Sequence, residues 1–278
     1  MRKIHLKVIN AIFFILIGVS MALAQAADPK GAARERIKDE EFTYECDGVQ
    51  LKGYVAYIPT KDKQPAILVV PEWWGYGEYT KMRARMLAQL GYFAMAVDIY
   101  GGGKQATTVA EAQNLSEVFY KDPKLAEARL EAAEKKVKRY PQVDATKVGA
   151  IGYCFGGTMV LNAAKLGIDL KAVVSFHGGL KGGVPAKPGV DKARILICHG
   201  GADKFSSEED VKAFKANLDS ASVHYGFKVY PGAMHAFTNP EATANGKKFN
   251  IPIAYNLEAD KQSWIDMTGF LKGTFAHK

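Results

Sequence analysis

The 278-residue chain is poor in cysteine: Cys46, Cys154 and Cys198 are all it has, and no two of them form a C-x-x-C pair. An odd, unspaced set gives no disulfide framework, and the missing pair removes the usual thiol-redox motif. There is no dense block of Lys and Arg either. The formal net charge of +8 is spread along the chain without a nucleic-acid motif, so nucleic acid is not an expected partner. The histidines show no metal-ligand spacing, and neither a metal nor a cofactor is expected. Internal repeats and low-complexity linkers are missing as well. What remains is the length and apolar content of one large domain with a well-buried core.

The first residues are set aside from that core. Met1–Lys7 carries Arg2, Lys3 and Lys7, Val8–Val19 is apolar apart from Asn10 and Gly18, and Ala22-Leu23-Ala24-Gln25-Ala26 follows. A basic start, a short apolar run and a small-residue exit form the pattern of a secretory signal peptide, here residues 1–26. The run is shorter than the ~20 residues that span a bilayer, so export without a stable membrane anchor is expected, with cleavage after Ala24 or Ala26. Cleavage removes three positive charges and leaves a net +5 of the formal +8. The protein is then periplasmic or secreted, with residues 27–39 as an N-terminal extension and 40–278 as the domain.

From Glu40 onward, short β-rich runs alternate with helical patterns. Glu41–Cys46 and Leu51–Ile58 read as two strands of a hairpin around Asp47-Gly48. Ala66–Val70 and Phe93–Val97 are continuous apolar runs, as in strands covered on both faces. Tyr79–Leu90 has helical periodicity ending at Gly91, and Val109–Tyr140 reads as one or two helices interrupted near Asp122-Pro123. Further strands are expected at Lys147–Ile151, Ala172–Ser175, Ile195–Cys198 and Gly226–Tyr230, and helices at Phe155–Leu166, Glu208–Leu218 and Ala259–Leu271. This order predicts a single α/β domain with a mostly parallel sheet between helices, its active site at the carboxyl ends of the strands.

Gly152-Tyr153-Cys154-Phe155-Gly156-Gly157 joins the strand Lys147–Ile151 directly to the next helix. G-x-C-x-G between a strand and a helix is the nucleophile elbow of an α/β-hydrolase, with sulfur in place of the usual hydroxyl. The helix N-terminus behind it favours a thiolate. The order of this fold is nucleophile, acid, histidine, and Asp203 and His235 each follow a strand in that order. His235 would take the thiol proton, and Asp203 would fix its tautomer. Each has a plainer reading: a small residue in a turn for Cys154, a turn or cap residue for Asp203, a backbone-bonded ring for His235. Cys198 reads as core, Cys46 as either a core residue or a reactive thiol, and His177 and His199 as structural. The aromatic residues Trp73, Trp74, Tyr76, Tyr100, Phe205 and Phe237 lie in the same loops and suggest an apolar pocket, with Trp74, Tyr100, Phe205 and Phe237 as its lining.

Over residues 40 to 275 the chain resembles the dienelactone hydrolase family, on Pro71-Glu72-Trp73-Trp74-Gly75, the Gly-Tyr-Cys-Phe-Gly-Gly elbow, His199–Asp203 and Gly232–Phe237. The resemblance implies a Cys154–His235–Asp203 triad opening an ester or lactone through an acyl-enzyme. It also implies a Glu72 carboxylate on the resting thiol, and an oxyanion hole from the backbone N–H groups of Trp73 and Phe155. The chain departs from the family at the two arginines that hold a substrate carboxylate. Gly102 and Asn239 stand at those positions, and only Lys104 lies near enough in sequence to substitute. The hydrolase chemistry is therefore expected, but on a substrate other than dienelactone. The rival reading is a catalytically silent binding protein on the same fold.

Overall fold

The structure, a computed structural model, describes residues 37–276. The signal-like segment 1–26 lies outside the described residues. The described chain forms one eight-stranded sheet in the order β1-β2-β4-β3-β5-β6-β7-β8. Its strands are β1 (Lys38–Cys46), β2 (Val49–Tyr57), β3 (Gln64–Val70), β4 (Phe93–Val97), β5 (Val143–Tyr153), β6 (Ala172–Phe176), β7 (Arg194–Gly200) and β8 (Tyr225–Tyr230). β1 and β2 are antiparallel, β2 is antiparallel to β4, and every other pair is parallel. The first strand starts at Lys38, so the domain takes in two residues assigned by sequence to the extension.

The hairpin forms where expected because Asp47 (φ 51°) and Gly48 (φ 73°) both adopt positive φ, the requirement of a tight two-residue β-turn. In the central strands the period of two sends neighbouring side chains to opposite layers. Leu68 and Val70 join one core cluster, while Ile67 and Val69 join the other. The first layer is built by α2 (Val109–Lys121), α3 (Pro123–Val137), α4 (Phe155–Leu166) and α5 (Glu208–Ser220). The second comes from α1 (Glu78–Gln89) and α7 (Leu257–Ala276). Each fully buried Leu, Ile, Val or Phe in these layers contributes ~1.5–3 kcal/mol of transfer free energy.

The long helical segment resolves into two helices. The Asp122 carboxylate accepts the Lys124 N–H and Pro123 opens α3, so the chain stops and restarts at one residue. One helix was not expected, α6 (Ala242–Phe249). Its Asn-Gly-Lys-Lys core has no apolar stripe, and it rests on a small cluster of Ala236, Ala242 and Ile253 and, through Phe249, on Trp74.

Candidate active site

The carboxyl ends of β5, β7 and β8 lie along one edge of the sheet, and each carries a polar residue in its following loop. Cys154 sits between β5 and α4 with φ 51° and ψ −115°. A side chain on Gly152 would strike the Gly156 carbonyl, and one on Gly156 would strike the carbonyls of Val70 and Pro71. Only glycine permits this turn. It projects Sγ from the end of a helix whose own residues are almost all buried. Of the three cysteines only Cys154 is partly exposed; Cys46 and Cys198 are buried.

His235 Nε2 lies 3.0 Å from Cys154 Sγ, and His235 Nδ1 lies 2.8 Å from Asp203 Oδ2. The second oxygen, Oδ1, accepts the Phe205 N–H at 2.8 Å. The His235 loop is fixed from the other side, where Ala254 N–H donates to the His235 carbonyl. Burial alone would pull the His235 imidazole down. The adjoining Cys154 sulfur and the hydrogen bond that the ring donates to Asp203 outweigh it and lift the ring to about 10. The residues named from sequence thus meet in one hydrogen-bonded line.

That line opens into a cleft of about 520 Å3 lined by Glu72, Trp73, Trp74, Phe205, Ala242 and Ile253, among others, with Cys154 and His235 in its wall. One side is contributed by α2, through Gln113, Asn114, Ser116, Glu117 and Tyr120, which no sequence signal marked. No Lys or Arg lines the cleft among the described residues. Lys104 is exposed and outside the lining. Among the described residues no group of three or more His, Cys, Asp or Glu side chains is arranged to hold a metal ion.

Two of the expected pocket residues are not in the lining. Phe237 is fully buried, edge-on to His177 at 5.1 Å between ring centres, because the turn after His235 directs it into the second core layer. Tyr100 is buried against Phe155, and its hydroxyl donates to the Trp73 carbonyl at 2.9 Å. It braces the Trp73 loop from beneath. Trp74 and Phe205 do line the cleft, and Phe205 lies edge-on to His235 at 4.8 Å. The N–H groups of Trp73 and Phe155 make no hydrogen bond to other described residues.

Glu72 also differs from expectation. Its carboxylate does not hold the thiol; Oε2 accepts from Asn239 Nδ2 at 2.6 Å, while the thiol is engaged by His235. Asn239 thus supplies a neutral donor. Burial pushes Glu72 up to about 7, against the weaker opposing effects of the Asn239 hydrogen bond and of nearby His235. An acid raised this way is protonated more readily in the folded than in the unfolded chain. Stability therefore falls as pH rises from about 4.5 to 7, by up to ~3 kcal/mol. Glu72→Gln removes the ionisation and keeps an acceptor for Asn239. The variant is expected to unfold at higher denaturant than wild type at pH 8, with the difference vanishing near pH 4. Equal midpoints at pH 8 would show that Glu72 is not held neutral by burial.

This sheet order, with an elbow cysteine, a strand-end acid and a following histidine, defines an α/β-hydrolase. A profile of the Dienelactone hydrolase family matches residues 51–275. A putative carboxymethylenebutenolidase from Methylorubrum extorquens is 35% identical over 202 residues, covering 69% of each chain. The crystal structure of a dienelactone hydrolase-like promiscuous phosphotriesterase from metagenomic libraries is similar at TM-score 0.79 and 30% identity, covering 86% of this chain and 99% of its own. The structure of a dienelactone hydrolase-like protein from Klebsiella pneumoniae shares the fold at TM-score 0.71 and 24% identity, covering 85% and 98%. The chain belongs to the dienelactone hydrolase family, and it is an ester or lactone hydrolase.

Proposed function

We propose that Cys154 is the nucleophile of a two-step hydrolysis run through His235 and Asp203. His235 Nε2 takes the thiol proton, and Sγ attacks the ester or lactone carbonyl. The resulting oxyanion is met by the free N–H groups of Trp73 and Phe155. Collapse expels the alkoxide, which receives the proton from His235, and leaves a Cys154 thioester. Water, deprotonated by His235, then attacks the thioester and releases the acid. The observation that carries this reading is the unbroken Asp203–His235–Cys154 line ending at a sulfur in the cleft wall. A slow-deacylating p-nitrophenyl ester should add its acyl mass to the peptide containing Cys154. Full turnover with no acyl mass on any peptide would rule out the covalent route. No turnover across p-nitrophenyl esters, lactones and thioesters would favour the silent-binding reading. That panel also includes a neutral aryl phosphotriester, because the similar metagenomic protein is described as a promiscuous phosphotriesterase.

We further propose that the substrate is neutral near the scissile bond. A carboxylate in a partly buried site needs a charged partner, most often a bidentate arginine. Here the lining offers Glu72 and Glu117 but neither Lys nor Arg. Leaving one charged contact unmade costs on the order of 1–3 kcal/mol. Short neutral esters or lactones are expected to exceed matched carboxylate-bearing analogues in kcat/KM by at least ~10-fold, the equivalent of ~1.4 kcal/mol. Lys104→Ala should leave that ratio unchanged. Equal turnover of the carboxylate analogue, lost in Lys104→Ala, would mean that this lysine reaches the substrate.

Export rests on the order of charge, apolar run and small residues in 1–26. No helix among the described residues is long and apolar enough to cross a membrane. The intact mass of protein from the exported fraction should begin at Gln25 or Ala27, and a membrane-held chain starting at Met1 would refute it.

A further inference from the structure

His177 closes β6 and lies behind the nucleophile, fully buried and with φ 40°. The proposed hydrolysis makes no use of it. Its two ring nitrogens are nevertheless both engaged, on opposite edges. The Cys154 N–H, which also reaches the Phe176 carbonyl, donates to His177 Nδ1 at 3.1 Å. An Nδ1 that accepts from an amide carries no proton, so the ring hydrogen is on Nε2. That atom lies 2.7 Å from Thr238 Oγ1 and donates to it. Burial, with His235 and Arg83 adding to it, pulls the His177 ring well below the usual histidine range, which keeps this neutral tautomer in place.

Thr238 lies three residues after His235 in the same loop. Its hydroxyl shares a 2.7 Å hydrogen bond with the Tyr79 hydroxyl, and Arg83 Nε donates to that tyrosine. The Arg83 guanidinium also donates to the Thr238 carbonyl at 2.5 Å and to Asp260 at 2.6 Å. One end of this chain is therefore the backbone of the nucleophile. The other is a partly buried ion pair between α1 and α7, and the loop that carries His235 is clamped in between.

We infer that His177 is a positioning residue: its neutral ring ties the Cys154 amide to the Thr238 hydroxyl and so sets the reach from Cys154 Sγ to His235 Nε2. The backbone explains why such a tie is required. Cys154, His177 and Ala236 all have positive φ (51°, 40° and 57°), a conformation that costs ~1–3 kcal/mol each for residues other than glycine. Loops strained in this way relax unless their surroundings over-determine them. The His177 bridge joins the loop of Cys154 to the loop of Ala236 directly. Its ring also stands edge-on to His235, 5.4 Å between centres, so it fixes the plane of the base as well as its distance.

The inference rests on Cys154 being the nucleophile, and the experiment separates the two. Replacing His177 itself disturbs a strained, buried position, so the link is cut at its far end. Thr238→Val keeps the shape and removes the acceptor, and Thr238→Ser restores it. In Thr238→Val, kcat should fall ~10- to 100-fold with KM changed by less than about three-fold, because geometry rather than binding is lost. The pH profile of iodoacetamide labelling, read by mass on the Cys154 peptide, should shift, since the sulfur and His235 are no longer in register. Thr238→Ser should return both readouts to near wild type. Wild-type kcat and labelling in Thr238→Val would overturn the inference. So would equal losses in the Val and Ser variants, which would point to packing. The labelling readout needs no substrate, so a failed ester screen would sink the proposed hydrolysis without deciding this link.

Discussion

Cys154→Ala is expected to lower kcat on p-nitrophenyl esters by at least ~10⁴-fold, which is the scale lost when a nucleophile acting as part of a unit is removed. The fold gives little reason for the variant to misfold. Cys154 is only partly buried, and its positive φ is held by the glycines around it and by hydrogen bonds to its own backbone. Unfolding midpoints should therefore stay close to wild type, within about 1 kcal/mol. A second readout does not depend on turnover. Among the influences that raise His235, the sulfur of Cys154 is the largest. Its loss should move the His235 titration downward, as followed by NMR of the ring. Cys154→Ser should also be a poor enzyme, because the base is set against a thiol and a hydroxyl gives up its proton far less readily. An alanine variant that turns over ester near the wild-type rate would remove Cys154 from the chemistry altogether.

Asp203→Asn carries the second large effect, and the hydrogen bonds predict its sign. The Asp203 side chain is fully buried, and each oxygen has one partner. The Phe205 N–H demands an acceptor at the Oδ1 position. An asparagine must therefore keep its carbonyl there and turn its NH2 toward His235 Nδ1. Nδ1 then has to accept, the ring proton moves to Nε2, and Nε2 faces Cys154 Sγ as a donor. In that tautomer the histidine cannot take the thiol proton. A base locked in the wrong tautomer costs on the order of 10⁴ in kcat, while KM for a small ester should change little. The loss should persist at high pH, since the fault lies in which nitrogen holds the proton. A kcat within ~10-fold of wild type would show that Asp203 only shapes the loop.

Several of these residues could be read from the chain order because their local backbone has few alternatives. Gly152 and Gly156 flank a cysteine at a strand-to-helix junction, and the turn closes only without Cβ atoms at both sites. Asp203 and His235 follow short runs with strand character that become β7 and β8, and parallel strands in one sheet must end along one edge. The alternation in Ile67, Leu68, Val69 and Val70 likewise separates two core layers.

The direction of loop side chains was not legible in this way. Tyr100 and Phe237 have the composition of pocket residues, yet both point into the core, because the backbone on either side fixes their angle of departure. The α2 wall of the cleft is built by Gln113, Asn114, Ser116, Glu117 and Tyr120. In sequence these are unremarkable surface residues of a helix, and only the packing of α2 beside the elbow gives them a site to face. Glu72 has its partner, Asn239, 167 residues away, and no local pattern reports a hydrogen bond across that separation.

The succession of strands and helices apart from α6, the glycine-flanked elbow and the succession Cys154, Asp203, His235 were determined by the sequence alone, because each rests on period, turn geometry or chain order. The partners of Glu72 and His177, a cleft lining without Lys or Arg and the depth of its aromatic residues were decided only by the tertiary structure. Hydrogen bonds and burial belong to groups brought together across the chain, and their strength depends on the surroundings that folding creates.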